Sequence, residues 1–438
     1  MAIQELEVHG YRSFKDVTWQ PGSLNLLVGP NASGKSNLLR LLQLISDVAK
    51  GRLLDTLSES AGIASLLWNH EAKRFGWKLR LDPVDANRDK VRDAITFELE
   101  IEQIGHGGGY QISKDTLGNW YQCEQQLGKS PYWIFERNVL RAHVYDQSTH
   151  DLKRVDNVIS LDDWEESESL LSQLDPSINT IHPRAKRQLN AWRIYHDVHA
   201  ERGAPMRLPV VTQVSKTVDS NGSNLAGVLH TLYSSDREFK QQIDDGMRAA
   251  FGSDYEELKI LPAARQQVEL AIQWRSSKDP HAGEELPDGT LRYLLLLTVL
   301  ANPEPLPLLA IDEPEAGLHP AMLPLVAEYA IAASERTQVV ISTHSPEFLD
   351  AFTDAEPNVT VFHWEDGESR LSPLPPDSLK AWLARYRLGE LFTSGELDAL
   401  AEPGVEPLAD IDERLKDLPP EEAALPAAED GAGGDAGA

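Results

Sequence analysis

The sequence predicts an α/β fold in which a mixed sheet surrounds a central helix, with an antiparallel β lobe and an inserted helical lobe. Residues 24–28 form a short apolar run that leads through a glycine-rich loop into a helical pattern at 37–50. A second apolar run, at 306–311, ends in two carboxylates, and a third, at 339–342, ends in polar residues. Short apolar runs bounded by turn residues are typical of buried parallel strands.

The segments around these runs have different patterns. Residues 3–9 alternate and predict a first strand, followed by a turn at 12–15. From about 75 to 165, short alternating segments separated by Asp-Pro, Gly-Gly-Gly and Lys-Ser-Pro turns predict an antiparallel meander. The pattern is then mainly helical to about 255, and the stretch after it contains one strand candidate, at 268–273.

These changes divide the chain into five predicted segments. Residues 1–74 and 284–400 form the two parts of the core, 75–165 the β lobe, 166–283 the mainly helical insertion, and 401–438 an acidic tail. Residues 396–438 carry 13 acidic and 2 basic side chains. Because the tail has few apolar residues to bury, we expect it to be disordered.

Charge and composition exclude several classes of protein. The formal net charge is -28, which argues against nucleic-acid binding over the whole surface but allows one local basic groove. No apolar run approaches the roughly 20 residues of a membrane span, and the N-terminus lacks a signal-peptide pattern. The single cysteine, Cys123, excludes an internal disulfide. We therefore expect a cytoplasmic protein without a membrane segment.

The glycine-rich loop matches the pattern G-x-x-x-x-G-K-[ST] and reads Gly29-Pro30-Asn31-Ala32-Ser33-Gly34-Lys35-Ser36. Its glycines let the backbone approach a phosphate closely, and its amides and the following helix, which includes Asn37, would cradle the anion. Lys35 would contact the β- and γ-phosphates of ATP, and the Ser36 hydroxyl would ligate Mg²⁺. A glycine turn without a ligand competes poorly, because the strand and the helix are both predicted.

Two later strand ends carry the other candidate residues. Asp312 would hold Mg²⁺ directly or through water, and Glu313 would polarise the attacking water as a general base. An exposed acidic turn is the alternative for this pair. His344 follows the strand at 339–342 and could contact the γ-phosphate or the water. A fourth segment, Leu286-Pro287-Asp288-Gly289-Thr290-Leu291-Arg292, precedes an apolar helix and by itself indicates only a turn.

In this order, the motifs resemble those of ABC-type P-loop ATPases of the RecF, OLD and SMC-head group, above all its stand-alone bacterial "predicted AAA-family ATPases". Residues 11–17 and 382–392 also resemble that group. The similarity covers roughly residues 1–50 and 284–392. It implies an ABC-ATPase head whose two copies sandwich two ATP molecules. Asp288, Gly289 and Thr290 would cap the γ-phosphate bound to the other copy, residues 315–319 would couple the two sites, and Arg12 would lie near the nucleotide.

For function, the resemblance implies an ATP-hydrolysing homodimer that acts as a switch in DNA repair, other genome maintenance or phage defence. DNA is a candidate substrate, and a separately encoded effector is expected, since the chain shows neither a nuclease domain after His344 nor long heptads. The alternative is an ATP-binding regulatory or scaffold protein with negligible turnover.

Three details depart from the family pattern or stay open. Pro287 stands where the group usually has a serine that touches the γ-phosphate, so the contact between copies should be weaker. No glutamine of a Q-loop is evident, and the candidates are Gln103, Gln111 and Gln122. A basic and aromatic stretch is either a solvated helix face or a nucleic-acid contact, and it comprises Lys186, Arg187, Trp192 and Arg193.

Overall fold

The computed structural model describes residues 2–70, 72–82, 93–105, 108–121, 131–149, 151–155, 159, 164–196 and 198–401. The acidic tail beyond residue 401, Cys123 and the Q-loop candidate Gln122 lie outside these residues. Among the described residues, no helix is both long enough and apolar enough to cross a membrane.

A mixed six-stranded sheet forms the centre of the fold. Its strands, in spatial order, are β10 (Arg193–Tyr195), β15 (Leu308–Asp312), β16 (Gln338–Thr343), β3 (Leu24–Val28), β17 (Asn358–Glu365) and β18 (Glu368–Pro373). The first five are parallel, and β18 pairs antiparallel with β17. Every residue of β3 and β16 is buried, which explains their continuous apolar runs.

The two faces of this sheet contribute to two different cores. Along β15, Leu309 and Ile311 pack into one hydrophobic cluster, while Leu308 and Ala310 pack into the other. This alternation follows from the two-residue period of a strand. The sheet is therefore covered on both faces, and its carboxyl edge is left to carry polar side chains.

An eight-stranded antiparallel sheet contains the strands of the predicted meander and also two strands within residues 3–19, which belong to the segment predicted as core. In spatial order it contains β2 (Phe14–Trp19), β1 (Ile3–Tyr11), β4 (Arg74–Leu81), β5 (Asp93–Ile104), β6 (Gly109–Tyr121), β7 (Tyr132–Asn138), β8 (Ala142–Asp146) and β9 (Asp151–Arg154). A small third sheet contains β11 (Val210–Val211), β12 (Tyr255–Ala263), β13 (Gln267–Trp274) and β14 (His281–Ala282).

Helices connect and cover the sheets. They are α1 (Lys35–Lys50), α2 (Leu53–Glu59), α3 (Leu170–Gln173), α4 (His182–Asn190), α5 (Leu225–Ser235), α6 (Arg237–Phe251), α7 (Asp288–Leu300), α8 (Leu323–Ser334), α9 (Pro346–Asp350), α10 (Pro376–Leu383), α11 (Leu388–Thr393) and α12 (Glu396–Ala401). The apolar positions of α1 are buried, as its helical spacing predicts.

β10 and β12 are among the strands that the sequence does not indicate. β10 falls within the span predicted to be mainly helical, yet it extends the core sheet beside β15. β12 pairs with β13 over most of its length, although only the second of these strands is predicted. The division of the chain into five segments stays a prediction.

Candidate nucleotide-binding site

The glycine-rich loop joins the carboxyl end of β3 to the first turn of α1. Gly29 and Gly34 have φ angles of 150° and 108°, in the region that glycine adopts without strain. A Cβ at Gly34 would overlap the Ser369 hydroxyl of β18. The loop is therefore held closely against the hairpin of β17 and β18, and α1 directs its first backbone amides toward the loop, as an anion cradle requires.

Lys35 lies inside this cradle. Its side chain is nearly fully buried, and Nζ donates to the carbonyl oxygens of Gly29 (2.7 Å) and Pro30 (3.0 Å). Burial lowers the pKa of Lys35, while the nearby carboxylates of Glu313 and Asp312 act in the opposite direction. The ammonium and the acidic strand end thus belong to one electrostatic site.

Asp312 ends β15 two strands away from the loop. It pairs in register with Ser342 of β16, which in turn pairs with Leu27 of β3. At about 4.8 Å per strand, Asp312 lies roughly 10 Å from the backbone of β3. The Ser342 hydroxyl donates a hydrogen bond to Asp312 Oδ1, and this orients the carboxylate at the carboxyl edge of the sheet.

The chemistry of these residues fits a magnesium ion that is shared with phosphates. Among the described residues, no group of three or more His, Cys, Asp or Glu side chains is arranged to hold a metal. Mg²⁺ characteristically takes one or two protein oxygens and completes its octahedron with water and substrate phosphates. Ser36, at the start of α1, and Asp312, at the end of β15, offer one oxygen-bearing side chain each, and this small number of protein ligands fits such a shared site.

Glu313 has an uncommon backbone conformation for a glutamate, with a φ of 45°. Its N–H donates to the carbonyl oxygen of Ser342 (3.1 Å) and to the Ser342 hydroxyl (3.2 Å). Its own carbonyl oxygen accepts from Arg292 Nη2 at 3.2 Å. A left-handed conformation at a non-glycine residue costs about 1–3 kcal/mol, so these contacts maintain a strained geometry that aims the carboxylate.

His344 lies beside that carboxylate. Its Nδ1 is 3.2 Å from Glu313 Oε1 and 3.9 Å from Glu315 Oε1. The structure thus brings Lys35, Asp312, Glu313 and His344 to one edge, as predicted from their positions after consecutive strands.

Glu315 contributes to this arrangement, although the sequence indicates only that it lies in the segment coupling the two sites. It accepts hydrogen bonds from Thr343 Oγ1 (2.5 Å) and from the His344 N–H (3.3 Å). Burial raises the pKa of Glu315, whereas burial lowers the pKa of Arg292 and the adjacent Glu315 opposes that shift. Burial thus acts against the charged form of both side chains, while the charge of each favours that of the other.

The predicted signature residues occupy the first turn of α7. Asp288 accepts a hydrogen bond from Arg207, and Thr290 is only 5% exposed. A Cβ on Gly289 would lie 2.7 Å from the Gly317 carbonyl oxygen, so the helix start packs directly on the segment after Glu313. Because Thr290 is buried, the candidate donors beside Pro287 are the first backbone amides of the helix, which have no partner within the helix, the Gly289 N–H among them.

Arg12 and Asn37 make contacts on the flank of the loop. The Arg12 guanidinium lies 5.8 Å from the centre of the Tyr11 ring. The backbone N–H of Arg12 donates to the Leu66 carbonyl oxygen. Asn37 Nδ2 donates to Ser13 Oγ at 2.8 Å. These contacts fix the turn after β1 to α1, and the predicted nucleotide contacts of both residues stay predictions.

The two described Q-loop candidates lie in the eight-stranded sheet and not in the six-stranded sheet that carries Asp312. Gln103 and Gln111 are in β5 and β6 of the large sheet. The strand that flanks β15 is β10, and His196 follows it at the same carboxyl edge as Asp312. Only the pairing of this short strand, which no local pattern indicates, reveals the position of His196.

Most of the basic and aromatic side chains at 186–193 make contacts within the chain. Trp192 is 2% exposed. Lys186 Nζ donates to the Ser172 carbonyl oxygen at 2.5 Å, and Arg193 Nη1 donates to the carbonyl oxygens of Asn190 and Trp192. These contacts favour a structural role over a nucleic-acid surface.

Comparison with known proteins places these features in a family. The family described as "AAA domain, putative AbiEii toxin, Type IV TA system" matches residues 24–350. The chain is 27% identical over 107 residues to the DNA replication and repair protein RecF of Limosilactobacillus fermentum, covering 24% of each chain. It is 23% identical over 366 residues to the OLD nuclease of Thermus scotoductus, covering 80% of this chain and 60% of that protein.

Among solved structures, the chain matches the SmcHead bound to the C-winged helix domain of ScpA. It is 14% identical with a TM-score of 0.49, and the match covers 87% of this chain and all of that one. With respect to length, the chain spans about a quarter of the RecF protein and 60% of the OLD nuclease.

Proposed function

From the premise that this chain belongs to that AAA-domain family and is an ABC-type P-loop ATPase of the RecF, OLD and SMC-head group, we propose that it binds ATP with Mg²⁺ and hydrolyses it to ADP and phosphate. One observation carries the proposal. The loop lysine and a strained glutamate paired with a histidine meet at the carboxyl edge of a parallel sheet, where such folds bind ligands.

Each residue has a defined task in this proposal. The amides of residues 29–36 and the Lys35 ammonium hold the phosphates. Ser36 and Asp312 hold Mg²⁺, which when bound neutralises charge on the transferred phosphoryl group. Glu313 accepts a hydrogen bond from the attacking water and takes its proton. His344 lies within hydrogen-bond range of Glu313, so it orients that carboxylate and can sense the γ-phosphate.

The wider role is an ATP-driven association of two copies that serves a DNA-related process. The names of the relatives, a DNA replication and repair protein and a nuclease, support DNA as the class of substrate. The family description, which refers to a Type IV TA system toxin, supports phage defence alongside genome maintenance. A separately encoded effector would carry the activity that the ATP-bound state permits.

A second candidate, an ATP-binding regulatory protein with negligible turnover, is favoured by the signature segment. Pro287 brings no hydroxyl, and the Thr290 side chain is internal. The contacts that one copy can offer to the nucleotide of the other are therefore few.

Substitution Glu313→Gln separates the two candidates. If the protein is an ATPase, the rate of phosphate release should fall about 100-fold or more, the usual size of a general-base effect. An ATP-bound dimer should then accumulate and be detected by light scattering. The matched control is Glu304→Gln, since Glu304 is an exposed glutamate in a surface ion pair with Lys216. If the wild type releases no phosphate and Glu313→Gln changes nothing, the regulatory role stands and hydrolysis is refuted.

The DNA-related role has its own test. Phosphate release should rise with duplex or single-stranded DNA at low salt and lose that rise as salt increases, because phosphate contacts release counterions. A rate of phosphate release that neither form of DNA changes at any salt concentration would contradict the DNA-related role.

A further inference from the structure

A buried arginine lies directly beneath the start of the signature helix. Arg207 ends the short 3-10 turn Pro205–Arg207, and its side chain is only 2% exposed. It is 81 residues away in sequence from its acidic partner, Asp288. Neither sequence motifs nor the proposed chemistry assign it a task.

The guanidinium of Arg207 bridges two separate segments. Nε donates to the carbonyl oxygen of Ala200 at 2.7 Å. Nη1 donates to the carbonyl oxygens of Gly283 (2.9 Å) and Leu286 (2.7 Å), and Nη2 donates to the Asp288 carboxylate. A planar group with five fixed donors can satisfy such a divergent set of acceptors, whereas the single ammonium of lysine cannot.

These contacts enclose the residue that departs from the family pattern. The acceptors on Leu286 and Asp288 flank Pro287, which has neither an N–H nor a hydroxyl to position itself. On the other side, Gly289 packs against the Gly317 carbonyl oxygen. The backbone on both sides of Pro287, and with it the first turn that carries the Gly289 N–H, is thus held by Arg207 and by the contact with Gly317.

The charge of Arg207 also affects how an anion can approach the start of α7. The Asp288 side chain is 65% exposed at the point where a partner's phosphates would approach. An isolated carboxylate there would repel them, and the buried guanidinium at hydrogen-bond distance offsets that repulsion. The helix dipole favours an Asp in the first turn. The charge of Arg207 balances that of Asp288, so a second anion can approach the start of the helix.

We propose that Arg207 is a positioning residue that presents residues 286–290 to the nucleotide of a second copy and so controls ATP-dependent association. This inference rests on the proposed two-copy function. In this proposal, Arg207 compensates for the contact that a serine at position 287 would make.

The test uses the full-length Glu313→Gln protein, in which ATP remains unhydrolysed. Adding Arg207→Met should weaken ATP-dependent association by about tenfold or more, the effect of removing a buried charged donor. Arg207→Lys should weaken it less, because the charge is retained while the bridge is lost. The ATP affinity of the monomer should stay within about twofold, since phosphate binding relies on Lys35 in the same chain. A role in folding alone would not separate these two measurements.

Lys216→Met is the matched control, because it breaks an exposed ion pair and should leave both measurements unchanged. The inference is overturned if Arg207→Met, shown by circular dichroism to be folded, associates as its parent does. If Arg207→Met does not fold, Arg207→Lys decides, and parental association by that variant overturns the inference. Failure of the Glu313→Gln parent itself to associate with ATP would instead refute the two-copy function, and the inference with it.

Discussion

Replacing Arg292 by methionine should slow ATP hydrolysis without weakening ATP binding. Arg292 contacts the backbone of Glu313, the proposed general base, by a hydrogen bond from Nη2 to the Glu313 carbonyl oxygen at 3.2 Å. Methionine preserves much of the apolar stem of arginine and removes the donor. Since Lys35 and the loop are untouched, the affinity for ATP should be preserved.

The expected magnitude follows from how Glu313 is held. Its φ of 45° costs about 1–3 kcal/mol, and it is maintained by Arg292 and by the two contacts of its N–H with Ser342. A hydrogen bond from a charged donor contributes about 1.5–3 kcal/mol, and the lower figure suits a 3.2 Å contact. If that loss reduces the population of correctly aimed Glu313, kcat should fall about tenfold.

The assay measures phosphate release under saturating ATP together with the binding of a fluorescent ATP analogue. Arg336→Met is the control, because Arg336 Nη2 also donates to a backbone carbonyl oxygen, that of Leu300, at 3.2 Å but makes no contact with the site. It should lose a similar amount of stability and keep its kcat. A kcat for Arg292→Met within twofold of the wild type, in a folded protein, would refute the account of how Glu313 is positioned.

Three further outcomes are expected. Lys35→Met should reduce ATP affinity by about 100-fold or more, measured by calorimetry, because the charge opposite the phosphates is removed. Ser342→Ala should raise the Mg²⁺ concentration for half-maximal activity several-fold, since metal-ligand carboxylates lose affinity when their hydrogen-bond partner is removed; an unchanged Mg²⁺ titration would contradict this. Burial raises the pKa of Asp115 to about 6, so the folded protein retains a proton that the unfolded chain releases near pH 4, and this contribution to stability is lost as pH rises from about 4 to 6. Asp115→Asn should therefore be more stable than the wild type at pH 8 by up to about 3 kcal/mol and equal to it at pH 4 in urea denaturation; a pH-independent difference would exclude this cause.

The residues that local patterns predict are those whose neighbours in sequence define their position. The Gly29–Ser36 loop, the Asp312 strand end and His344 each follow directly after a buried strand, and parallel strands bring their carboxyl ends together. Their meeting at one edge could thus be anticipated from spacing alone. The meander of the β lobe was similarly evident, because its turns punctuate alternating segments.

The contacts that orient those residues could not be anticipated in the same way. Arg207 and Asp288 are 81 residues apart, and β10 consists of three residues, too few to show a period. Arg292 is visible as part of a motif, but its bond to a backbone carbonyl oxygen leaves no complementary side chain to recognise. Such partners depend on packing between distant segments, and a single sequence carries no signal for them.

In the proposed association of two copies, the first turn of α7 would connect the two nucleotide sites within one chain. Asp288 and Arg292 are four residues apart, on adjacent turns of the helix. The Asp288 side chain is 65% exposed, and Arg292 Nη2 donates to the Glu313 carbonyl oxygen. A displacement of this turn by the nucleotide of a second copy must consequently alter the hydrogen bond that maintains the strained glutamate. Because coupling of binding free energies is reciprocal, Arg292→Met should weaken ATP-dependent association as well as hydrolysis. Ser342→Ala removes the hydroxyl that contacts Asp312 and the Glu313 N–H and leaves the Arg292 contact from α7 in place, so the association of the Glu313→Gln protein should be unchanged at saturating Mg²⁺. Equal effects of the two substitutions on association would show that the signal does not pass through α7.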